Sequence, residues 1–91
     1  MGEMVGLFIA NPGSGIIART MLDKEGPQKF RDIYVRVNRL LRDLGEPTVT
    51  RKELRPRIAL LVAYGIVEEG DNRVYQFTER GREAAEDAHA P

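Results

Sequence analysis

The sequence contains no cysteine, no tryptophan and a single histidine, His89, which lies two residues from the C-terminal end. Without cysteine the chain forms neither disulfides nor thiolate metal sites, and it suits a reducing compartment. One terminal histidine provides little material for a zinc site or for acid-base chemistry, and no two carboxylates pair in an apolar setting. We therefore expect no enzymatic activity, no metal and no cofactor.

Long hydrophobic runs are also missing. The apolar run over residues 4–10 is far below the roughly 20 residues that a membrane-spanning helix needs, and it lacks the positively charged start of a signal peptide. We expect no contact with a membrane and a cytoplasmic location. A length of 91 residues predicts a single domain over residues 1–91.

The charge has no overall sign, because 14 basic residues balance 14 acidic ones. Its distribution is uneven, however. Residues 29–57 hold nine cations and four anions, a net charge of +5, whereas residues 66–91 have a net charge of −4. The positive charge is concentrated in the middle third of the chain, where a nucleic-acid surface would need it; an ordinary solvated face is the alternative.

The first third of the chain has weak signals. Residues 1–11 form an apolar N-terminal extension, with a short helix expected over residues 3–10. The following Asn11-Pro12-Gly13-Ser14-Gly15 is either a turn or a helix start with Asn11 as N-cap. We favour a helix over residues 12–24 that buries Ile17, Met21 and Leu22.

Residues 28–44 carry the strongest helical pattern. Seven apolar residues share one face and predict a helix that packs on the core: Phe30, Ile33, Tyr34, Val37, Leu40, Leu41 and Leu44. The opposite side carries Arg31, Val35, Asn38, Arg39 and Arg42. Gly45 ends this helix, and a short turn leads to the next one.

The next helix is expected over residues 51–64. Thr50 and Glu53 have the spacing of a capping box, and Gly65 follows the helix as a stop. Leu54, Ile58 and Leu61 define its buried face, so its outer side is a strip of Lys52, Pro56, Ala59 and Ala63. Pro56 either kinks this helix or lies in the first turn of a later start.

After Gly65 the period changes from helical to alternating. Residues 66–69 and 74–78 read as two strands, with Asp71 and Asn72 at the tip of the turn, and Tyr75 and Phe77 on the inner face. Thr78 can cap a final helix over residues 79–88. The expected fold is therefore mainly α with a small β-hairpin, an α+β class.

Two motifs in this order resemble a known superfamily. Leu61-x-x-x-Gly65-Ile66-Val67, and then Tyr75-x-Phe77-Thr78-Glu79-x-Gly81, make the chain similar to winged helix-turn-helix transcriptional regulators. The closest types are the multiple-antibiotic-resistance, arsenic-repressor and PadR-like groups, with many archaeal members. The resemblance implies a helix-turn-helix over residues 28–65, a recognition helix over 51–64 in the major groove, and a wing over 66–78. It also implies a homodimer, for which the candidate contacts are the N-terminal extension and the side of the helix over residues 28–44 that carries Val35.

The resemblance and the charge together predict sequence-specific binding to double-stranded DNA. Arg51, Lys52 and Arg55 are expected at base edges, while the expected phosphate contacts are Arg57, Arg39 and Arg42, with Arg73 at the tip of the wing. No small-molecule ligand can be identified. The alternative is a winged-helix protein-interaction or scaffold module without DNA binding, which the acidic strand of the wing and the apolar extension favour.

Overall fold

The computed structural model of the protein describes residues 12–89. In this part of the chain there are four α-helices and a small antiparallel sheet. The helices are α1 (Pro12–Leu22), α2 (Phe30–Asp43), α3 (Arg51–Ala63) and α4 (Glu79–Ala88). The strands are β1 (Gln28–Lys29), β2 (Val67–Glu69) and β3 (Val74–Phe77), and a 3₁₀ turn, Asp71–Arg73, joins β2 to β3. The prediction of a mainly helical α+β fold is confirmed. The helix expected over residues 3–10 lies outside the described residues.

The sheet has three strands, whereas the sequence predicted two. Its order is β1-β3-β2, with Gln28 opposite Tyr75 and Lys29 opposite Val74. The predicted helix over 28–44 was therefore wrong at its start, because the backbone of Gln28 and Lys29 pairs with a strand 45 residues further along the chain. Local periodicity carries no information about such a partner.

The side chain of Gln28 also bonds the end of α1, and it thereby holds the segment between α1 and β1 in place. Its buried side-chain amide donates to the carbonyl oxygen of Met21 at 2.8 Å, and its side-chain oxygen accepts from Arg36 at 2.8 Å. Arg36 donates a second bond, of 2.6 Å, to the carbonyl of Thr20. Helix α1 ends at Leu22, two residues before the predicted end.

Helix α2 has the predicted apolar face, with Ile33 and Val37 buried. Two residues differ from the prediction. Leu44 is 50% exposed, because it follows the last helical residue and lies beyond the core. Asn38, which was expected on the polar outer side, is buried because its side chain bonds the backbone of Val49.

Helix α3 begins at the predicted capping box, and its buried face is formed by Leu54, Ile58 and Leu61, as expected. It continues without interruption through Pro56 to Ala63, so the later start is excluded. Its C-terminal end is closed by two bonds, from Gly65 N–H to the carbonyl of Val62 and from Ile66 N–H to that of Leu61, each 3.0 Å long. Gly65 has a φ of +73°, the left-handed backbone that favours glycine.

Helix α4 has the predicted bounds and the predicted cap. The Thr78 hydroxyl accepts from Gly81 N–H at 2.9 Å and donates to the carbonyl of Gly65 at 2.6 Å. The same side chain therefore caps the start of α4 and bonds Gly65, which follows the end of α3. Residues from α1, α2, α3, α4 and the sheet meet in one hydrophobic core.

Candidate functional site

An open cleft of about 360 Å³ lies between the start of α2, the first turns of α3 and the turn that joins β2 to β3. Five of the described residues that line it are cationic, and none is acidic. The lining residues are Lys29, Phe30, Arg31, Arg51, Arg55, Asn72 and Arg73. We call this feature the cationic cleft.

Each wall of the cationic cleft is fixed by a feature of the fold. The pairing of Lys29 with Val74 holds the start of α2 beside the hairpin. The Thr50 cap fixes the beginning of α3, so that Arg51 and Arg55, four residues apart, lie on the same side of that helix. The cleft is thus assembled from three segments that are distant in sequence.

The hairpin contributes Arg73 through an unusual backbone. Asn72 and Arg73 have φ values of 58° and 56°, in the left-handed region. Asparagine enters this region readily, but for arginine it carries a cost on the order of 1 kcal/mol. The sequence placed Asp71 and Asn72 at the tip of the turn, whereas the two left-handed residues are Asn72 and Arg73, one position further along the chain.

Two of the arginines lie over aromatic rings of α2. The guanidinium carbon of Arg51 is 5.1 Å from the ring centre of Tyr34, and that of Arg55 is 5.6 Å from the ring centre of Phe30. Such cation–π contacts are worth about 0.5–1 kcal/mol at exposed sites. A guanidinium that stacks on a ring by its flat face keeps the N–H donors at its edge available to an anion.

The sheet passes close to these cations at Tyr75. Burial raises the pKa of the Tyr75 hydroxyl, and Glu69 raises it further, while Arg73 and Arg55 act in the opposite direction. Tyr75 is 9% exposed. Arg55 and Arg73 therefore both lie near this buried side chain, although they come from different elements.

The acidic residue in the first turn of α3 serves the cap and stays outside the cationic cleft. The Glu53 carboxylate accepts from Thr50 N–H at 2.9 Å, and Glu53 N–H donates to the Thr50 hydroxyl at 3.1 Å. The hydrogen bond that the carboxylate accepts from the Thr50 backbone lowers the pKa of Glu53 most, the Thr50 side chain lowers it next, and the charge of Arg57 lowers it further. The Glu53 charge is thus held on the flank of α3 that carries Arg57.

That second flank borders an apolar groove of about 480 Å³. Arg57 lies against Gly13 there, since a Cβ at Gly13 would be 3.1 Å from Nη1 of Arg57. Other residues that line the groove include Ile16, Leu41, Leu44, Pro47 and Val49.

The structure separates the predicted site residues into groups. It brings Arg51, Arg55 and Arg73 together in the cationic cleft, and it places Arg57 across α3 from them. Arg39 lies in another depression, with Arg36 and Asp43. Lys52 and Arg42 are exposed outside the cleft.

Lys29 and Arg31 belong to the cationic cleft and were not predicted as site residues. The sequence had assigned both positions to the core-packing helix over 28–44, with Arg31 on its polar side. The pairing of β1 with β3 is what turns this end of α2 toward the hairpin. The only signal in the sequence was the concentration of positive charge over residues 29–57.

The outer strip of α3 is exposed, as predicted. Its four residues are Lys52, Pro56, Ala59 and Ala63. Only Lys52 has a polar group in its side chain, and the other three are small. The strip is bordered on one flank by Arg51 and Arg55 and on the other by Arg57.

None of the helices within residues 12–89 combines the length and the apolar character that crossing a membrane requires. Over the same residues, histidine, aspartate and glutamate side chains form no group of three that could hold a metal ion.

No family model, no curated protein and no solved structure matches this chain.

Proposed function

We propose that the chain is a winged-helix protein that binds double-stranded DNA sequence-specifically and regulates transcription. In this proposal α3 is the recognition helix in the major groove, and the hairpin of β2 and β3 is the wing. The observation that carries the proposal is the cationic cleft, in which Arg51 and Arg55 of α3 and Arg73 of the hairpin lie together with two further cations, Lys29 of β1 and Arg31 of α2.

A cleft of this kind favours a polyanion as its ligand. Five like charges repel one another in the free protein, and a phosphate backbone removes that repulsion. Double-stranded DNA carries about one negative charge per 1.7 Å of its axis, so several phosphates fall within the reach of one cleft. The zero net charge of the chain is no obstacle, because five of its cations are collected in the cationic cleft, beside the recognition helix.

The shape of α3 supports a duplex as the form of that polyanion. The major groove of B-DNA admits an α-helix, and a strip of small residues lets the helix approach closely. The strip of Lys52, Pro56, Ala59 and Ala63 is exposed along the whole helix. Cations on both flanks of the strip would face the two phosphate strands that border the groove.

The experiment is a titration of a random-sequence 20-base-pair duplex, followed by fluorescence anisotropy at several salt concentrations. The logarithm of the affinity is expected to fall with the logarithm of the salt concentration with a slope steeper than about −2.7, which corresponds to three or more phosphate contacts. Arg73→Ala should weaken binding to all duplexes alike and reduce the slope by about 0.9.

The matched control is Arg80→Ala, because Arg80 is exposed on α4, away from the cationic cleft. It should leave both the affinity and the slope unchanged. A slope shallower than that of three phosphate contacts, or an equal loss in the Arg80 variant, would contradict the proposal.

The second candidate function, a protein-interaction module, is favoured by the apolar groove between α1 and α3. In that case the wild-type chain would fail to retard random duplex DNA even at low salt. Substitution of Leu44, which is 50% exposed in the groove, would then test whether the groove is the surface that binds the protein partner.

Homodimerisation and a cytoplasmic location complete the proposal. A single recognition helix covers one half-site, and dimers of helix-turn-helix proteins bind two half-sites about one helical turn apart. Val35 is 42% exposed on α2 and is the candidate contact among the described residues. The other candidate, the N-terminal extension, lies outside them.

A further inference from the structure

We infer that, within α3, Lys52 contacts base edges, whereas Arg51 and Arg55 bind phosphate groups and do not distinguish one DNA sequence from another. This inference rests on the proposed function. This differs from the expectation that all three residues meet the bases. The difference comes from where the side chains lie in the folded chain.

Arg51 and Arg55 are directed away from the outer strip of α3. Their guanidinium groups lie over Tyr34 and Phe30, on the flank that faces α2 and the hairpin. Both line the cationic cleft together with Arg73. To reach a base edge from this flank, each arginine would have to lose its aromatic contact and extend past the phosphate strand that borders the major groove of the DNA. A phosphate beside the cleft can be bound without either change.

Lys52 is the side chain that remains for the bases. It is the second residue of α3, and the N-terminal residues of a recognition helix are those that contact base edges. The other residues of the strip, Pro56, Ala59 and Ala63, have no polar side-chain atom. On the second flank, Glu53 is engaged in the cap and Arg57 lies against Gly13.

The chemistry of Lys52 sets the base that it would recognise. An ammonium group has three donors and no acceptor. In the major groove, guanine presents two adjacent acceptors, O6 and N7, and lysine is one of the side chains that bind them. The recognition site is therefore expected to contain one guanine that depends on Lys52, at a fixed position in each half-site.

The test is selection of bound duplexes from a random 20-base-pair library, carried out in parallel with the wild type, Lys52→Ala and Arg55→Ala. Lys52→Ala is expected to lose the preference for guanine at one position, a change of about 5- to 150-fold in the ratio of affinities, while the salt slope stays the same. Arg55→Ala is expected to weaken binding to all duplexes alike, to keep the ranking of sequences and to make the salt slope shallower by about 0.9.

Two further variants make the test specific. Lys52→Gln should shift the preference at the same position from guanine to adenine, because glutamine pairs with adenine N6 and N7. Lys24→Ala is the matched control, since Lys24 is an exposed lysine just beyond the end of α1. Thermal unfolding of each variant checks that the fold is retained.

The outcomes separate this inference from the proposed function. If Arg55→Ala removes a base preference, or if Lys52→Ala leaves every preference intact, the inference is overturned while DNA binding stands. Binding of the wild type to all duplexes without preference would also overturn it. If the wild type binds no duplex, the proposed function fails and the inference fails with it.

Discussion

At the scale of single residues, Asn38 shows how a polar side chain can be structural. Its amide donates to the carbonyl of Val49 at 2.9 Å, and its oxygen accepts from Val49 N–H at 2.8 Å. These two bonds fasten the irregular segment between α2 and α3 to α2, immediately before the Thr50 cap. Asn38 thus helps to position the start of the recognition helix of the proposal.

Asn38→Ala is expected to destabilise the protein by about 1–3 kcal/mol, because it leaves the Val49 N–H and carbonyl without these partners. The measurement is the midpoint of urea unfolding at constant m-value. Arg39→Ala is the control: Arg39 is exposed on the neighbouring position of the same helix, so its loss should change stability by less than about 0.5 kcal/mol. Equal effects of the two substitutions would contradict this role of Asn38.

Asn38 also shows a limit of reading a sequence residue by residue. Its polar type placed it on the outer side of α2, where most asparagines would belong. The partner that makes its burial favourable is the backbone of Val49, eleven residues further along. A backbone group has no signature in the amino-acid sequence, so this contact could not be anticipated.

At the scale of elements, local signals predicted most of the structure. Helices α3 and α4 each begin at a threonine cap, and both starts are where the sequence placed them. The cap, the periodic apolar face and the glycine stop of α3 all lie within the helix or directly beside it, so the local sequence is sufficient to predict them. Strand β1 was missed because the strand that pairs with it, β3, is distant in sequence, and with β1 the sequence missed that Lys29 and Arg31 face the hairpin.

Gly81 gives a test at this scale. It is the glycine of the Tyr75-x-Phe77-Thr78-Glu79-x-Gly81 motif, and it packs so closely that an added Cβ would overlap the backbone carbonyl of Ile66. Gly81→Ala is expected to destabilise the protein by about 3 kcal/mol or more, because helix α4 must move away from the strand that follows α3. Thermal unfolding measures this loss.

Gly70→Ala is the matched control. The nearest atom to a Cβ at Gly70 is the carbonyl oxygen of Val74, at 3.8 Å, which is an ordinary contact. The substitution should therefore be tolerated. If both alanines cost the same, the close approach of α4 to Ile66 is not what requires glycine at position 81.

At the scale of the whole molecule, the segregation of charge is more informative than its sum. The acidic residues of β2, Glu68 and Glu69, lie on the strand that is farthest from β1 in the sheet. The cations that line the cleft come from β1, α2, α3 and the tip of the hairpin. A chain with no net charge thus has a surface of one sign beside the proposed recognition helix.

The proposed homodimer is tested at this scale. Light scattering at micromolar concentration without DNA should give twice the mass of the chain. If Val35 is a contact, Val35→Arg should lower that mass toward the monomer, whereas Arg80→Ala, at an exposed position of α4, should leave it unchanged. A monomeric mass for the wild type would remove the homodimer from the proposal.

The pairing of β1 with β3 also sets when the site can exist during synthesis. Lys29 and Arg31 leave the ribosome early, but Val74, which holds β1 in place, comes 45 residues after Lys29. A nascent chain that has completed α3 possesses the whole recognition helix of the proposal and still lacks one wall of the cleft. The five cations therefore converge only when the last fifth of the chain emerges, and a fragment that ends before Arg73 contains four of them without the strand that brings them together.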